Sequence, residues 1–465
     1  MVSAPRWARP TAPLNNPPGQ LSEHLEAEGD HRGGLGDRQL ARSRPLFICF
    51  AIYLFSQWVT IPVIGVGPWA MWPTLSDLSI LAMVPLWFCC RRSLRPLLPV
   101  QRRLLVLLAI VAMGSLVSYC GYLGSLSDRD LIGVNLGKYQ IYRMFQLAAV
   151  FGMVCQIPLD QGRRQRLSLL VDMALLCGVF TMFMTFFKVI PLGALTAHLP
   201  PGDAGGPWSA YVNIGKYGGA GWGAFGYNHA YVSIQLLMIM GLRLHLAPPT
   251  QVWRSSIFFC ITVVACFFSG SRNGLALSVL YSLTFFLRHP KCLVWLFTGL
   301  LTLIVFSPLL PNVDLGGLEN TDGSILERQA TLFEAGDKDN LSGRDELWGA
   351  KIEFLNQKPL RWFFGGGFGS GWDSTDSGES AHLLPLHIVT EAGIIGLGLA
   401  ILIFFQILIA LQKTESSPKA VFWITWIFLI SGVSQETFYP VPALLGFMHF
   451  YGATVAIALG SDQKF

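Results

Sequence analysis

The sequence predicts an all-α polytopic membrane protein with about twelve transmembrane helices and a large exoplasmic loop domain between helices 9 and 10. The chain has 465 residues, of which 52% are hydrophobic and only 13% are charged. Its mean hydropathy is +0.48. A soluble chain of this length needs a more charged surface than this composition provides. The chain also contains many runs of about twenty apolar residues, and one such run is long enough to cross a bilayer as a helix. These observations together indicate a membrane protein.

The predicted spans follow one another along almost the whole chain. They are residues 45–65, 74–90, 104–122, 138–157, 168–190, 226–247, 253–269, 273–288, 292–310, 383–411, 419–436 and 440–459.

Four regions follow from this pattern. Residues 1–44 are polar and rich in Pro and Gly, which is typical of a disordered cytoplasmic tail. Residues 45–310 hold transmembrane helices 1–9, and 311–382 form a polar periplasmic loop domain. Residues 383–465 hold helices 10–12 and a short cytoplasmic tail.

Basic residues set the orientation. Alternate short loops are rich in Arg and Lys, as in Arg91-Arg92 and Arg163-Arg164, whereas the intervening loops have few. By the positive-inside rule the basic loops and both termini are cytoplasmic, and the long loops 191–225 and 311–382 are exoplasmic. The net charge of +5 is dispersed over these loops, so it does not indicate nucleic-acid binding.

No motif predicts a metal or a cofactor. The nine cysteines lie in or beside apolar stretches, as buried free thiols do. His382 and His387 are five residues apart, a spacing that does not place both on one helical face for zinc. The run Gly365-Gly366-Gly367-Phe368-Gly369 is no P-loop, and a tight turn that lets backbone approach a ligand or another helix is its better interpretation.

Two arginines are candidate anion-binding residues. Arg272 lies in a very short exoplasmic turn between two spans, where it either snorkels to lipid headgroups or holds a diphosphate. Arg344 follows Ser342-Gly343 and opens a helical stretch, where it is either a surface arginine or part of an anion site at a helix N-terminus.

His382 is the candidate general base, because it lies where the large loop re-enters the membrane. It is followed by Gly393 and Gly396, which predict close helix packing. An interfacial structural histidine is the alternative interpretation of His382, and in that case His387 or His229 could be the base instead. Four further polar residues are possible cavity-lining side chains: Asn228, His229, Arg143 and His387.

These motifs together resemble the O-antigen ligase and O-antigen polymerase family. The resemblance rests on Ser271-Arg272, on Ser342-Gly343-Arg344 with Leu347-Trp348, on the glycine-rich run, and on His382 followed at fixed spacing by Gly393-Ile394-Ile395-Gly396. Leu383 departs from the family pattern, which usually has Asn, Ser or Gln after the histidine. His387 or Asn228 could replace that polar contact.

The resemblance implies a metal-independent glycosyltransferase of the C class in a bacterial inner membrane, with its active site facing the periplasm. The donor would be a glycan on undecaprenyl diphosphate, bound by Arg272 and Arg344. His382 would activate an acceptor hydroxyl on lipid A–core or on a growing glycan. A ligase is favoured over a polymerase, while a small-anion transporter and a membrane scaffold are alternatives from other classes.

Overall fold

The structure is a computed structural model. The residues that it describes are 39–65, 72–126, 131–187, 189–190, 194–195, 197–199, 222–225, 229–247, 251–306, 344–375, 380–415, 419–434 and 447–460. Most of the predicted tail 1–44, most of the loop 191–225 and the first half of the loop 311–382 therefore lie outside the described residues.

The described residues fold into α-helices. In chain order these are α1 (Arg44–Phe55), α2 (Leu75–Cys89), α3 (Pro99–Ser125), α4 (Ile132–Gln156), α5 (Gln161–Phe186), α6 (His229–Leu246), α7 (Val252–Phe268), α8 (Arg272–Phe286), α9 (Leu293–Phe306), α10 (Arg344–Asn356), α11 (Leu360–Phe364), α12 (Ser370–Asp373), α13 (Leu384–Thr414), α14 (Ala420–Ser431) and α15 (Phe447–Leu459).

The predicted all-α class is confirmed for these residues, and each predicted span overlaps one of the helices α1–α9 and α13–α15, although the helical bounds often differ from the predicted ones. Three of them, α3, α5 and α13, are long and apolar enough to cross a membrane by length and composition. Several others are apolar but shorter. The helix α4 is 25 residues long but carries Gln140, Arg143 and Gln146 on one face. The number of twelve spans stays a prediction.

Local sequence signals set several helix starts. The side chain of Thr74 accepts a hydrogen bond from the backbone N–H of Asp77 at 3.3 Å, and Asp77 accepts one from the N–H of Thr74 at 2.9 Å. This reciprocal capping box satisfies two N–H groups that the first turn of α2 cannot pair internally. The carboxylate of Glu415 caps α14 by accepting from the N–H groups of Val421 and Phe422, at 2.8 and 2.9 Å.

The helices pack around one continuous apolar core. The helix α15 packs along α4, α4 packs against α3, and the long helix α13 packs against α3 and α15. On the other side, α6 lies against α5, α7, α8 and α14. The loop helices α10, α11 and α12 lie against α13, so the described part of the large loop is attached to the helical bundle.

Basic side chains meet at one end of this bundle. His245, in the last turn of α6, lies 3.0 Å from Glu415 just after α13 and 3.5 Å from Arg164 at the start of α5. Arg95, before α3, donates to the carbonyl of Ile157 after α4 at 2.8 Å. We call this the basic end. The start of α13 and the end of α14 lie at the opposite end of the same helices, which we call the His382 end.

The last residues of the predicted tail also lie at the basic end. Residues 39–42 are helical, and Arg163 donates to the carbonyl of Leu40 at 2.5 Å and to the hydroxyl of Ser43 at 3.0 Å. Ser43 is buried. The part of the tail that the structure describes is thus packed against α5.

Candidate functional site

His382 lies immediately before α13 in an unusual backbone conformation. Its φ is +50°, in the left-handed region that residues other than glycine rarely adopt. Two hydrogen bonds flank it. The indole N–H of Trp348 donates to the carbonyl of Ala381 at 2.7 Å, and the N–H of Leu384 donates to the carbonyl of Gly432 at 2.8 Å. The histidine is therefore fixed between the loop helix α10 and the end of α14.

One face of α10 contacts the rest of the large loop and the end of α14 through three donor side chains. Arg344, Trp348 and Lys351 follow each other at helical spacing, so they lie on the same side of the helix. Each donates to a backbone carbonyl: Arg344 to Ser434 at 3.2 Å, Trp348 to Ala381, and Lys351 to Gly371 at 2.5 Å. These bonds bring Arg344 and His382 to the same end of the molecule.

The glycine-rich run packs against a break in α13. Gly393 has φ +68° inside that helix, which interrupts its hydrogen-bond ladder. The freed carbonyls of Thr390 and Glu391 accept from the N–H groups of Gly366 and Gly367, at 2.8 and 3.0 Å. A Cβ added at Gly393 would overlap the backbone of Phe363. Of the two predicted uses of the run, the structure shows close approach to another helix.

A fully buried carboxylate joins the same loop to α4. Glu391 is 0% exposed, and both its oxygens lie 3.1 Å from Nε2 of Gln140. One oxygen also accepts from the N–H of Gly369 at 3.1 Å and lies 3.5 Å from Nε2 of His387. Our sequence reasoning missed Glu391. An acidic residue inside a predicted span was the available signal, because such residues are costly and usually paired or functional.

Arg272 is the first residue of α8, and α7 ends four residues before it, as predicted for a short turn. The hydroxyl of Ser271 caps α8 by accepting from the N–H of Gly274 at 2.9 Å. Farther along α8, the hydroxyl of Tyr281 donates to the carbonyl of Ala420 at the start of α14. A Cβ added at Gly274 would overlap Ser233 near the start of α6, whereas the last turn of α6 lies at the basic end. Arg272 therefore lies toward the His382 end.

An apolar cavity of about 400 Å³ lies between α3, α4, α13 and α15. Its walls include Leu108, Phe151, Leu399 and Tyr451 from these helices. Phe364 and Phe368, which flank and interrupt the glycine-rich run, also line it. The cavity therefore extends from the apolar interior of the bundle to the loop that Glu391 holds.

The four possible cavity-lining residues have different surroundings. His387 is 0% exposed and its ring lies edge-on to Trp372. Arg143 is buried in an ion pair with Asp77 at 2.5 Å, and its neighbours Met144 and Leu147 line the cavity instead. Asn228 and the side chain of His229 lie outside the described residues. Asp77 was missed, although it too is a carboxylate inside a predicted span.

Within the described ranges, no group of three His, Cys, Asp or Glu side chains could hold a metal ion.

The comparison with protein families gives a match to a segment in the second half of the chain. Residues 257–432 match the family model described as O-antigen ligase. This segment belongs to the O-antigen ligase family. No curated protein matches the chain. The predicted resemblance is thus confirmed, and the apolar helices together with the match indicate a bacterial membrane protein of polysaccharide biosynthesis.

The O-antigen ligase segment contains Arg272, Arg344 and His382. The helices α3 and α4, which contact its glycine-rich run and supply Gln140 to Glu391, precede it in the chain. The match supports glycan transfer of the ligase or polymerase kind in general. The proposed reactive residues and the helices that support them therefore come from different parts of the sequence.

Proposed function

We propose that this protein transfers a glycan from undecaprenyl diphosphate to a hydroxyl group of an acceptor. The observation that carries the proposal is the placement of His382, in a left-handed conformation between two hydrogen bonds and beside the helix that carries Arg344. A half-buried histidine whose neighbouring backbone groups are held at the end of the bundle is suited to general-base chemistry. His387, the alternative base, is fully buried and thus less accessible to an acceptor.

In the proposed step, a nitrogen of His382 takes the proton of the acceptor hydroxyl while the hydroxyl oxygen attacks the anomeric carbon of the donor. The bond from that carbon to the phosphate oxygen breaks, and the electron pair leaves with the diphosphate. Arg272 and Arg344 neutralise the charge that develops on this leaving group. A guanidinium suits the role because its planar fork is permanently charged and pairs with two phosphate oxygens at once. No metal ion takes part in this step.

The apolar cavity supports a lipid-linked donor. Its walls are aliphatic and aromatic, and it extends to Phe364 and Phe368 beside the glycine-rich run. A polyprenyl chain in this cavity would gain about 0.8 kcal/mol for each buried methylene group. Its diphosphate would then lie toward the His382 end, where the arginines are.

The orientation of the reaction follows from the two ends of the bundle. The basic end carries Arg164, His245 and their neighbours, and the positive-inside rule makes it cytoplasmic. The His382 end then faces the periplasm of a bacterial inner membrane, where lipid A–core is a suitable acceptor. A polymerase that extends another lipid-linked glycan is the alternative within the same chemistry, and the acceptor distinguishes the two.

Reconstitution tests the proposal directly. The purified protein in liposomes is given a glycan on undecaprenyl diphosphate, with either lipid A–core or a second lipid-linked glycan as acceptor, in the presence of EDTA. We expect transfer to lipid A–core, and we expect His382→Ala to lower the rate by about 100- to 10,000-fold while donor binding persists. The His387→Ala variant serves as the comparison. A fully active His382→Ala variant would rule out the proposed base.

A second function is favoured by one observation, the buried ion pair between Asp77 in the first turn of α2 and Arg143 in the middle of α4. Paired charges inside a membrane bundle often mark a substrate or ion pathway, which a transporter of a small anion would need. Bicarbonate flux into the same liposomes measures this activity. If bicarbonate flux requires Asp77 and no glycan transfer is detected, the protein is a transporter and the proposed enzymatic function is wrong.

A further inference from the structure

The hydrogen bond from Trp348 to Ala381 has a consequence for the reactivity of His382. A histidine with φ +50° is held in a conformation that costs free energy, and such conformations persist only where the surroundings impose them. The carbonyl that Trp348 holds belongs to the residue directly before His382, at a distance of 2.7 Å. The peptide that determines the φ of His382 is therefore fixed by a side chain of the loop helix.

The other side of His382 is fixed by α14. The N–H of Leu384 donates to the carbonyl of Gly432 at 2.8 Å. Two residues farther on, the carbonyl of Ser434 accepts from Arg344 at 3.2 Å. Arg344 and Trp348 are one helical turn apart on α10. The same helix therefore contacts both the residue before His382 and the segment after α14 that pairs with Leu384.

We propose that Trp348 is a positioning residue, which sets the imidazole of His382 relative to the arginine that binds the donor diphosphate. The inference rests on the proposed function. Four residues of an α-helix separate Arg344 from Trp348, a rise of about 6 Å along the axis. The rigid turn of α10 thereby fixes the spacing between the leaving group at Arg344 and the acceptor hydroxyl at His382.

The test compares two indole N–H groups of the same loop. Trp348→Phe removes the donor to Ala381 but keeps an aromatic ring in its place. Trp362→Phe is the matched control, because the indole of Trp362 donates to the side chain of Asn356 at 3.1 Å on the exposed side of the loop. For both variants, kcat and the KM for donor and acceptor are measured in liposomes, together with binding of the donor.

A displacement of about 1 Å of a reacting group can lower a rate about 100-fold. We therefore expect Trp348→Phe to lower kcat about 30- to 100-fold, with the KM for the donor changed less than about threefold, and Trp362→Phe to match the wild type. In a His382→Ala background, Trp348→Phe should not lower the residual rate further, because it acts through His382.

Three results are distinguishable. An unchanged kcat in Trp348→Phe, beside an inactive His382→Ala, overturns the positioning role and leaves the proposed function intact. Loss of donor binding in Trp348→Phe, or a further drop of the residual rate in the double variant, shows a general structural role and also overturns it. Full activity of His382→Ala overturns His382 as the base, whereas the absence of glycan transfer in the wild-type protein overturns the proposed function itself.

Discussion

Both carboxylate oxygens of Glu391 lie 3.1 Å from the side-chain nitrogen of Gln140, a residue 251 positions earlier in the chain. The contact joins the break in α13 to α4, and the N–H of Gly369 adds the glycine-rich run to the same carboxylate. Glu391 thus connects the O-antigen ligase segment to the helices that precede it.

Removal of this carboxylate should destabilise the protein. Glu391→Ala leaves the buried donors of Gln140 and Gly369 without this acceptor, and each such loss costs about 1–3 kcal/mol. Glu391→Gln keeps one acceptor oxygen and should therefore destabilise the protein less than Glu391→Ala. The midpoint of thermal unfolding in detergent measures the effect. Glu353→Ala, on the exposed side of α10, is the control, and an equal midpoint in Glu391→Ala and the control would contradict the role of Glu391.

The effects of substituting Asp77 and Arg143 on the free energy of unfolding should be strongly coupled. Both side chains are buried, at 4% and 3% exposed, so removal of either partner leaves a buried charge and costs about 3–5 kcal/mol. The double substitution Asp77→Leu with Arg143→Met removes both charges and should recover most of that stability. Denaturation of the four proteins gives the coupling energy. We expect the double variant to keep glycan transfer, and a loss of transfer with normal stability would assign the pair to the reaction.

Arg272 and Arg344, which we call the diphosphate clamp, are proposed to neutralise the leaving group, and each can be tested by substitution. A hydrogen-bond donor that stabilises developing charge lowers the free energy of the transition state by about 2–4 kcal/mol. Arg272→Ala or Arg344→Ala should therefore lower turnover roughly 100-fold or more. Lysine at either position should rescue only partly, because it loses the planar fork. Arg166→Ala, an exposed residue near the basic end, should have wild-type turnover. A requirement for a divalent metal, or full turnover in either alanine variant, would contradict the clamp.

Filling the apolar cavity should weaken the use of donors with a long polyprenyl chain more than the use of donors with a short one. Ala400 lines the cavity, whereas the next residue on α13, Ile401, is 61% exposed on the outer face of that helix. In Ala400→Trp, displacement of about two methylene groups of a polyprenyl chain raises the donor KM about tenfold. A donor with a short prenyl chain should be affected much less. Ile401→Trp is the matched control, and equal KM values in both variants would place the donor chain elsewhere.

Chemical labelling tests the orientation of the bundle. In a background with the native cysteines replaced by alanine, Glu353→Cys on α10 should react with a membrane-impermeant maleimide in intact spheroplasts. Gln165→Cys, exposed at the start of α5, should react only after permeabilisation. The reverse pattern would place His382 in the cytoplasm, away from a periplasmic acceptor.

Much of the helical architecture could be predicted from the sequence. Apolar runs of sufficient length must satisfy their backbone hydrogen bonds internally, which gives helices at the predicted positions. The turn before Arg272 was predictable too, because Ser271 is a strong helix cap and Gly270 permits the positive φ that the turn has. The motifs around Arg272, Arg344, the glycine-rich run and His382, taken together, indicated the family that the match over residues 257–432 shows.

The tertiary structure alone decided which of these residues meet, and why. The residues on either side of His382 form hydrogen bonds with Trp348 and Gly432, which are 34 and 50 positions away from it in the sequence. The partners of Glu391 and Asp77 lie 251 and 66 positions away, on helices whose neighbours no local pattern specifies. Propensity and periodicity describe each helix by itself, whereas buried charges are stabilised only by contacts that form when the helices pack.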